Sequence, residues 1–404
     1  MTITIQTKSE CRIVPLRFAR ASKGAPNSRQ PDIDDRGHCH VIPAVNGLPT
    51  SAPIGSAVLP MAVNTEVDIN MLRTDIDHNA PLFVTSSDSS ALTILAPNAG
   101  QQCSTGRTCT LTLKAHHISG SVPKVVFVEI RFGKANGPII AKLATYIFPI
   151  LLVKVQAYYV TIDDHAGNSG RCPTLNFDST VQKVQAIWSH YGVELSFAKR
   201  KHISVTLNQK DYMELAEINQ LYQADWTGEH INMYFVQEME GQDVFSYGFT
   251  PQDYSGYAFP LSNRESASAL RHPGIFVALK TGTLERSSDT QSCAHTIAQE
   301  IGHFLTLSHP SSYSFASRSD GDKYDTWSMR LLMQKQNITA RSSAPQGDEN
   351  WPDYNEFGYG STDKVPHGGC MLSLKNLQKS TTTDADGQCS MARNHISKGF
   401  STLY

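Results

Sequence analysis

The chain is short of charge. Asp, Glu, Lys and Arg make up 18% of its 404 residues, against about a quarter in an average soluble domain. The net charge is only −2 and no basic run of the kind that binds phosphate occurs, so no nucleic-acid or polyanion partner is suggested. Long apolar runs are missing too. The most apolar stretch, Leu143 to Val153, is too short to cross a bilayer and contains Pro149, so no membrane span is expected. The first residues, M-T-I-T-I-Q-T-K-S-E-C-R, lack the charged-then-apolar pattern of a signal peptide. None of the eight cysteines stands in a C-x-x-C pair, so cysteine spacing offers no metal or redox motif.

The even cysteine count permits disulfides. Cys103 with Cys109 is a candidate pair that could close a short loop between strands, Cys370 with Cys389 is a second, and reduced thiols throughout are the alternative. An oxidising destination favours the bridged state. Together with the low charge, this gives a secreted or extracytoplasmic protein as the expectation. It would leave the cell by a route needing no cleaved signal, or with its signal already removed.

The length suits two or three domains. Residues 1–60 mix apolar patches with Pro, Gly, Ser and Asn and read as irregular or short-strand structure. The triplet His38-Cys39-His40 within them is not a metal cluster, because adjacent side chains do not readily converge on one ion. Residues 61–148 read as β. Ala91–Leu95, Cys109–Leu113 and Val125–Ile130 are short strand-like runs separated by turn-rich segments. Their spacing suggests a sandwich of immunoglobulin-like type. Residues 149–404 mix strands with helices. Val153, Val155, Ala157 and Tyr159 alternate on one strand face. Asp178-Ser179-Thr180 can cap a helix carrying Val181, Val184, Trp188 and Tyr191 and stopped at Gly192. Residues 203–207 and 231–236 are strand candidates, and Gly274–Leu279 has the continuous apolar character of a fully buried strand. Asp320–Asp325 lacks the full ligand spacing of a calcium loop and reads as a surface turn. Residues 335–370 read as loop-rich, and Met391–Asn394 as part of a short terminal helix.

The chemistry concentrates between Ser292 and Pro310, S-C-A-H-T-I-A-Q-E-I-G-H-F-L-T-L-S-H-P. Ala294, Ile297, Ala298, Ile301, Phe304 and Leu305 supply the apolar face of a helix. Residues four apart share a helix face, which places Gln299 above His303. Gln299–His309 resembles the extended metzincin signature H-E-x-x-H-x-x-G-x-x-H, in which histidines hold zinc and the glutamate is the general base. Glu300 matches the base, His303 the second ligand and His309 the third. Gln299 stands where the first histidine belongs and Thr306 where the glycine belongs. Met333 falls where the family's methionine turn would lie. A glutamine amide is a neutral and poorer zinc donor than imidazole, and β-branched threonine resists positive φ. His295 lies eight residues from His303, roughly 12 Å along a helix, too far to replace a ligand.

The resemblance implies an α+β protein: a metzincin-like catalytic domain preceded by a β-rich, immunoglobulin-like one. It implies a zinc (Zn2+) endopeptidase with Glu300 catalytic, His303, His309 and Gln299 on the metal, and a protein or peptide substrate. It also implies an edge strand that pairs with extended substrate, for which Gly256–Phe259 is the candidate, with Gly256 and Ala258 as substrate-binding positions. Two other functions stay open. One is a binding protein on a catalytically impaired peptidase scaffold. The other is a secreted bacterial effector or toxin acting on an envelope target, with a secretion apparatus or an inhibitor as partner.

Overall fold

Alternating burial builds the first half of the molecule. In a computed structural model the described residues are 16–20, 33, 57–73, 76–120, 122–214, 217–225, 230–241, 252–253, 256–259, 274–281, 284–285, 290–305, 307 and 388–397. The strands β1 (Leu16–Arg20), β3 (Glu66–Arg73), β6 (Thr108–Ala115) and β5 (Leu92–Ala96) form one sheet in that order. A second sheet runs β2 (Ala57–Ala62), β8 (Ile139–Phe148), β7 (Lys124–Phe132) and β4 (Leu82–Ser86). Both β1 and β2 draw on the stretch expected to be irregular or short-strand.

On β3 the inward set is Val67, Ile69 and Met71, all buried. Its outward set pairs across to β6. Lys114 meets Glu66 at 2.7 Å, Thr112 donates to Asp68 at 2.6 Å and Thr110 donates to Asn70 at 3.0 Å. These rungs coincide with the backbone register Glu66↔Lys114, Asp68↔Thr112 and Asn70↔Thr110. A one-residue slip would break all three and turn the apolar set outward. The inward residues of both sheets meet in one core that includes Leu59, Ile69, Val84, Ile94, Leu111, Leu113, Val128 and Leu143.

Only Pro149 and Ile150 separate β8 from β9 (Leu151–Asp164). With β9 the architecture changes to a mainly parallel sheet between helices. After α1 (Phe177–Ser189), strands β10 (Val193–Phe197) and β11 (Lys201–Leu207) pair in succession along the same edge of β9. Next come β12 (Tyr212–Met213), α2 (Ile218–Ala224), β13 (Ile231–Val236), β14 (Glu238–Gly241), β15 (Gln252–Asp253), β16 (Gly256–Phe259), β17 (Gly274–Ala278), β18 (Lys280–Thr281), β19 (Leu284–Glu285), α3 (Thr290–Phe304) and α4 (Gln388–Ser397). The sheet order is β10-β9-β13-β17-β16, parallel throughout except for antiparallel β16 at the edge.

Strand parity divides the apolar residues between two layers. Val153, Val155, Ala157 and Tyr159 of β9 face α1, α3 and α4 in one core. Tyr158, Val160 and Ile162 face α2 in another. Being covered on both sides, β13 and β17 are buried at every position, as parallel strands between helices must be. Across the α2 side, Tyr158, Tyr234 and Phe276 stack on three adjacent strands, with centroids 4.7 and 5.2 Å apart.

The helix expected near Asp178 starts a little earlier than its sequence signal. Asn176 is the N-cap residue but makes no side-chain cap bond, and Asp178 lies in the first turn, where a carboxylate favours the helix dipole. Val184 and Trp188 are buried as expected. Gly192 follows with φ 66°, and a Cβ there would sit 2.5 Å from the Pro149 carbonyl, so conformation and space both require glycine.

Candidate active-site helix

Helix α3 packs against α1, β17 and β16. The six expected face residues, Ala294, Ile297, Ala298, Ile301, Phe304 and Leu305, are all buried. So are Cys293, His295, Thr296 and Glu300. Between Cys293 and Leu305, Gln299 and His303 are the two positions that retain intermediate exposure. They are four apart and therefore share one face, so from Cys293 onward α3 is covered except along the stripe where the signature places its first two ligands.

The helix ends in a tight reversal. Leu305 N–H donates to Ile301 O at 3.0 Å and Leu307 N–H reaches back to Gly302 O at 2.9 Å, a bond spanning five residues of the kind that closes helix C-termini. The reversal returns the Leu307 carbonyl to His303, 2.8 Å from Nδ1. A carbonyl oxygen only accepts, so Nδ1 carries the proton. In the neutral ring Nε2 then presents its lone pair. Metal-ligating histidines are commonly oriented by such a bond from the second ring nitrogen to a backbone carbonyl. The donor chemistry of His303 therefore fits a metal ligand.

Glu300 precedes His303 by three residues and points into a nearly dry environment, 7% exposed. Burial pushes its carboxyl from an ordinary 4.5 up to about 8. A cation nearby would act in the opposite sense, favouring the carboxylate.

Strand β16 pairs antiparallel with β17, matching Gly256 with Val277 and Ala258 with Ile275. Among the described residues no strand pairs with its other edge. Gly256–Phe259 is thus an edge strand among the described residues, packed beside the helix that carries Glu300. His309, Thr306 and Met333 lie outside the described residues, as do His38-Cys39-His40, Asp320–Asp325 and residues 335–370. Among the described residues no group of three or more His, Cys, Asp or Glu side chains is arranged to hold a metal ion. His295 is buried on α3, and its spacing from His303 is that of the expectation. No helix of the described residues is long and apolar enough to cross a membrane.

Two features escaped the sequence. Arg393 of α4 is buried, and its Nη1 donates to the carbonyls of Tyr191 at 2.6 Å and Gly192 at 3.2 Å. It fastens α4 to the end of α1, with its guanidinium 5.0 Å from the Phe148 ring. The exposed Cys172 places its sulfur 3.3 Å from His202 Nδ1, and that imidazole stacks on Tyr159 at 5.4 Å. Neither contact has a local sequence signal. Positions 202 apart and 30 apart meet only once the strand register and helix packing are known.

No protein-family model matches the chain, and no curated protein matches it. A matching solved structure is a Bacteroides ovatus GH5 xyloglucanase in complex with a XXXG heptasaccharide. The likeness has 8% sequence identity and a TM-score of 0.16, over 45% of this chain and 44% of that one. At that level it carries no argument about fold or activity.

Proposed function

We propose that the chain is a zinc-dependent endopeptidase of metzincin type, with an immunoglobulin-like domain ahead of the catalytic one. The observation that carries the proposal is the bond from His303 Nδ1–H to the Leu307 carbonyl, which fixes the tautomer a metal-ligating histidine needs, on a half-buried stripe shared with Gln299. The element order supports it: strand β9, helix α1, several strands and then α3 follow the strand, long backing helix, strands and active-site helix that a metzincin resemblance implies. The leading sandwich supports its own part. Its two sheets correspond to the A-B-E-D and G-F-C strand orders of immunoglobulin-type domains, with β2 added beside β8.

In this proposal Gln299, His303 and His309 hold the zinc. Bound there, zinc supplies Lewis acidity toward the scissile carbonyl and lowers the pKa of a coordinated water. The Glu300 carboxylate accepts the proton of the attacking water and delivers it to the leaving amine nitrogen. The outer edge of β16, to which no strand pairs among the described residues, pairs with the extended backbone of a protein or peptide substrate, giving affinity with little demand on side chains. The low dielectric around Glu300 strengthens its interaction with a neighbouring cation and keeps bulk water from the proton it handles.

Metal analysis with a peptide-cleavage assay tests the proposal. Stoichiometric zinc, with cleavage abolished by Glu300→Ala, is the expected result. A protein that binds no zinc and cuts no peptide refutes it. Gln299 favours a second function, a peptide-binding protein on an impaired peptidase scaffold, because amide oxygen is the weaker donor. Zinc binding and peptide capture without cleavage would identify that state.

A further inference from the structure

We propose that Cys172 is a thiol modification site, activated by His202 and S-thiolated by exchange with a low-molecular-weight disulfide of the glutathione class. The inference does not depend on the peptidase proposal. Strand β11, which carries His202, pairs with β9 on the side away from β13, whereas β16 stands at the other edge of the sheet.

Cys172 lies between β9 and α1 on a segment tied down on both sides. Before it, Gly170 N–H donates to the Asp163 carboxylate at 2.8 Å and Arg171 N–H to that of Asp211 at 2.5 Å. Gly170 passes so close to β9 that a Cβ would collide with the Ile162 carbonyl. After it, Pro173 is buried. Phe177, the first residue of α1, packs edge-on against Phe197 and Phe235, with centroids 5.6 and 6.2 Å apart. The thiol itself is exposed. Reactive cysteines combine such access with a neighbour that favours the thiolate.

His202 is that neighbour. The strand register sets it beside Tyr159 of β9, and its imidazole stacks on the phenol ring, with 5.4 Å between centroids and 26° between planes. Its Nδ1 stands 3.3 Å from Cys172 Sγ. The Pro173 carbonyl is a second acceptor for the thiol proton, at 3.7 Å. A carbonyl only shares that proton, whereas imidazole takes it, which is how a Cys–His pair makes a nucleophile. The Arg200 guanidinium adds positive charge 5.0 Å over the Phe177 ring, itself 6.3 Å from Tyr159.

Tyr159 gives an independent sign of a ligand here. It is 4% exposed, and its hydroxyl has no hydrogen-bond partner among the described residues, a rare state for a buried polar group. Burial pushes this phenol up, with Arg200 acting against it, so it stays an O–H donor. An adduct rich in amide and carboxylate oxygens would supply the missing acceptor. Cys103 and Cys109 are free thiols, and these two, Cys293 and Cys389 all lie in apolar cores. The endpoint at Cys172 is therefore a mixed disulfide rather than an intrachain bridge.

In the exchange, Cys172 gives its proton to His202 Nδ1 and its sulfur attacks one sulfur of the small disulfide. A new S–S bond forms, the reagent's own S–S bond breaks, and the leaving thiolate takes the proton from the imidazolium. Cys172 is oxidised and one half of the reagent is reduced to a thiol.

The full chain is treated with glutathione disulfide at pH 7, folded and in urea, quenched in acid, and the adducts are mapped and timed by mass spectrometry. The expected product of the folded chain is a glutathione adduct on Cys172, removed by dithiothreitol. It should form about tenfold faster than in urea, less than an enclosed general base gives because the pair is exposed. His202→Gln should bring the folded rate down to the unfolded one, with the deficit closing at alkaline pH, where a thiol ionises unaided. Absence of a Cys172 adduct, a bridge from Cys172 to another cysteine, or equal rates folded and unfolded overturns the proposal. An unchanged rate in folded His202→Gln removes the assignment of the imidazole as activator. If that variant does not fold, the folded-against-unfolded comparison of the unaltered chain decides.

Discussion

In the metal-free chain Glu300 imposes a cost that depends on pH, and Glu300→Gln isolates it. Below pH 4.5 the carboxyl is protonated in both folded and unfolded chains and its burial costs little. As pH rises the unfolded chain ionises near 4.5, while the folded chain keeps its proton until about 8. Over that window the folded state binds the extra proton, so stability falls with rising pH. Each pH step is worth ~1.4 kcal/mol, which sets a ceiling of about 5 kcal/mol by pH 8, a large share of the stability of a typical domain. Glutamine keeps the shape and stays neutral, so Glu300→Gln should match the parent near pH 4 and exceed it at pH 8 and above. Urea unfolding in chelator at several pH values, on both proteins, measures the difference. Adding zinc to the parent should recover much of the lost stability, since a cation favours the carboxylate. Identical pH dependence of the two metal-free proteins would refute the reasoning and show that Glu300 is hydrated or otherwise compensated.

Restoring imidazole with Gln299→His should raise zinc affinity by at least about tenfold, since even displaced ligand-orienting groups cost that much; competition against a fluorescent zinc chelator reads it directly. Arg393→Met should destabilise by about 2 kcal/mol in urea unfolding, because the buried guanidinium's hydrogen bonds to the Tyr191 and Gly192 carbonyls are lost. Trp188→Ala removes a fully buried ring of the α1 core and should cost ~3–5 kcal/mol by the same measurement.

How much was legible in the chain follows from how local each signal is. Strand β6 and the face of α3 were visible because burial there follows one period, two in the strand and close to 3.6 in the helix. The apolar run at 274–279 announced β17 because a strand between helix layers has no polar face. The N-terminus of α1 was displaced because Asp178 has the residue type of a cap while Asn176 holds the position without making the bond. Strand β1 gave little signal, since its five residues are defined by pairing with β3, more than forty positions away. In the candidate site, Gln299, Glu300 and His303 were readable from spacing alone. The Leu307 carbonyl that fixes the His303 ring was not, because it depends on how the chain leaves the helix after Phe304.

The joint between β8 and β9 sets how the molecule can be divided. Val58, Ala144 and Phe148 belong to strands of the leading sheets, yet they pack into the core that contains Trp188 and Ile301. A fragment beginning at residue 149 would therefore leave behind part of its own interior and carry an open greasy seam. Such a piece should clump when produced alone, so any peptidase assay belongs on the undivided chain.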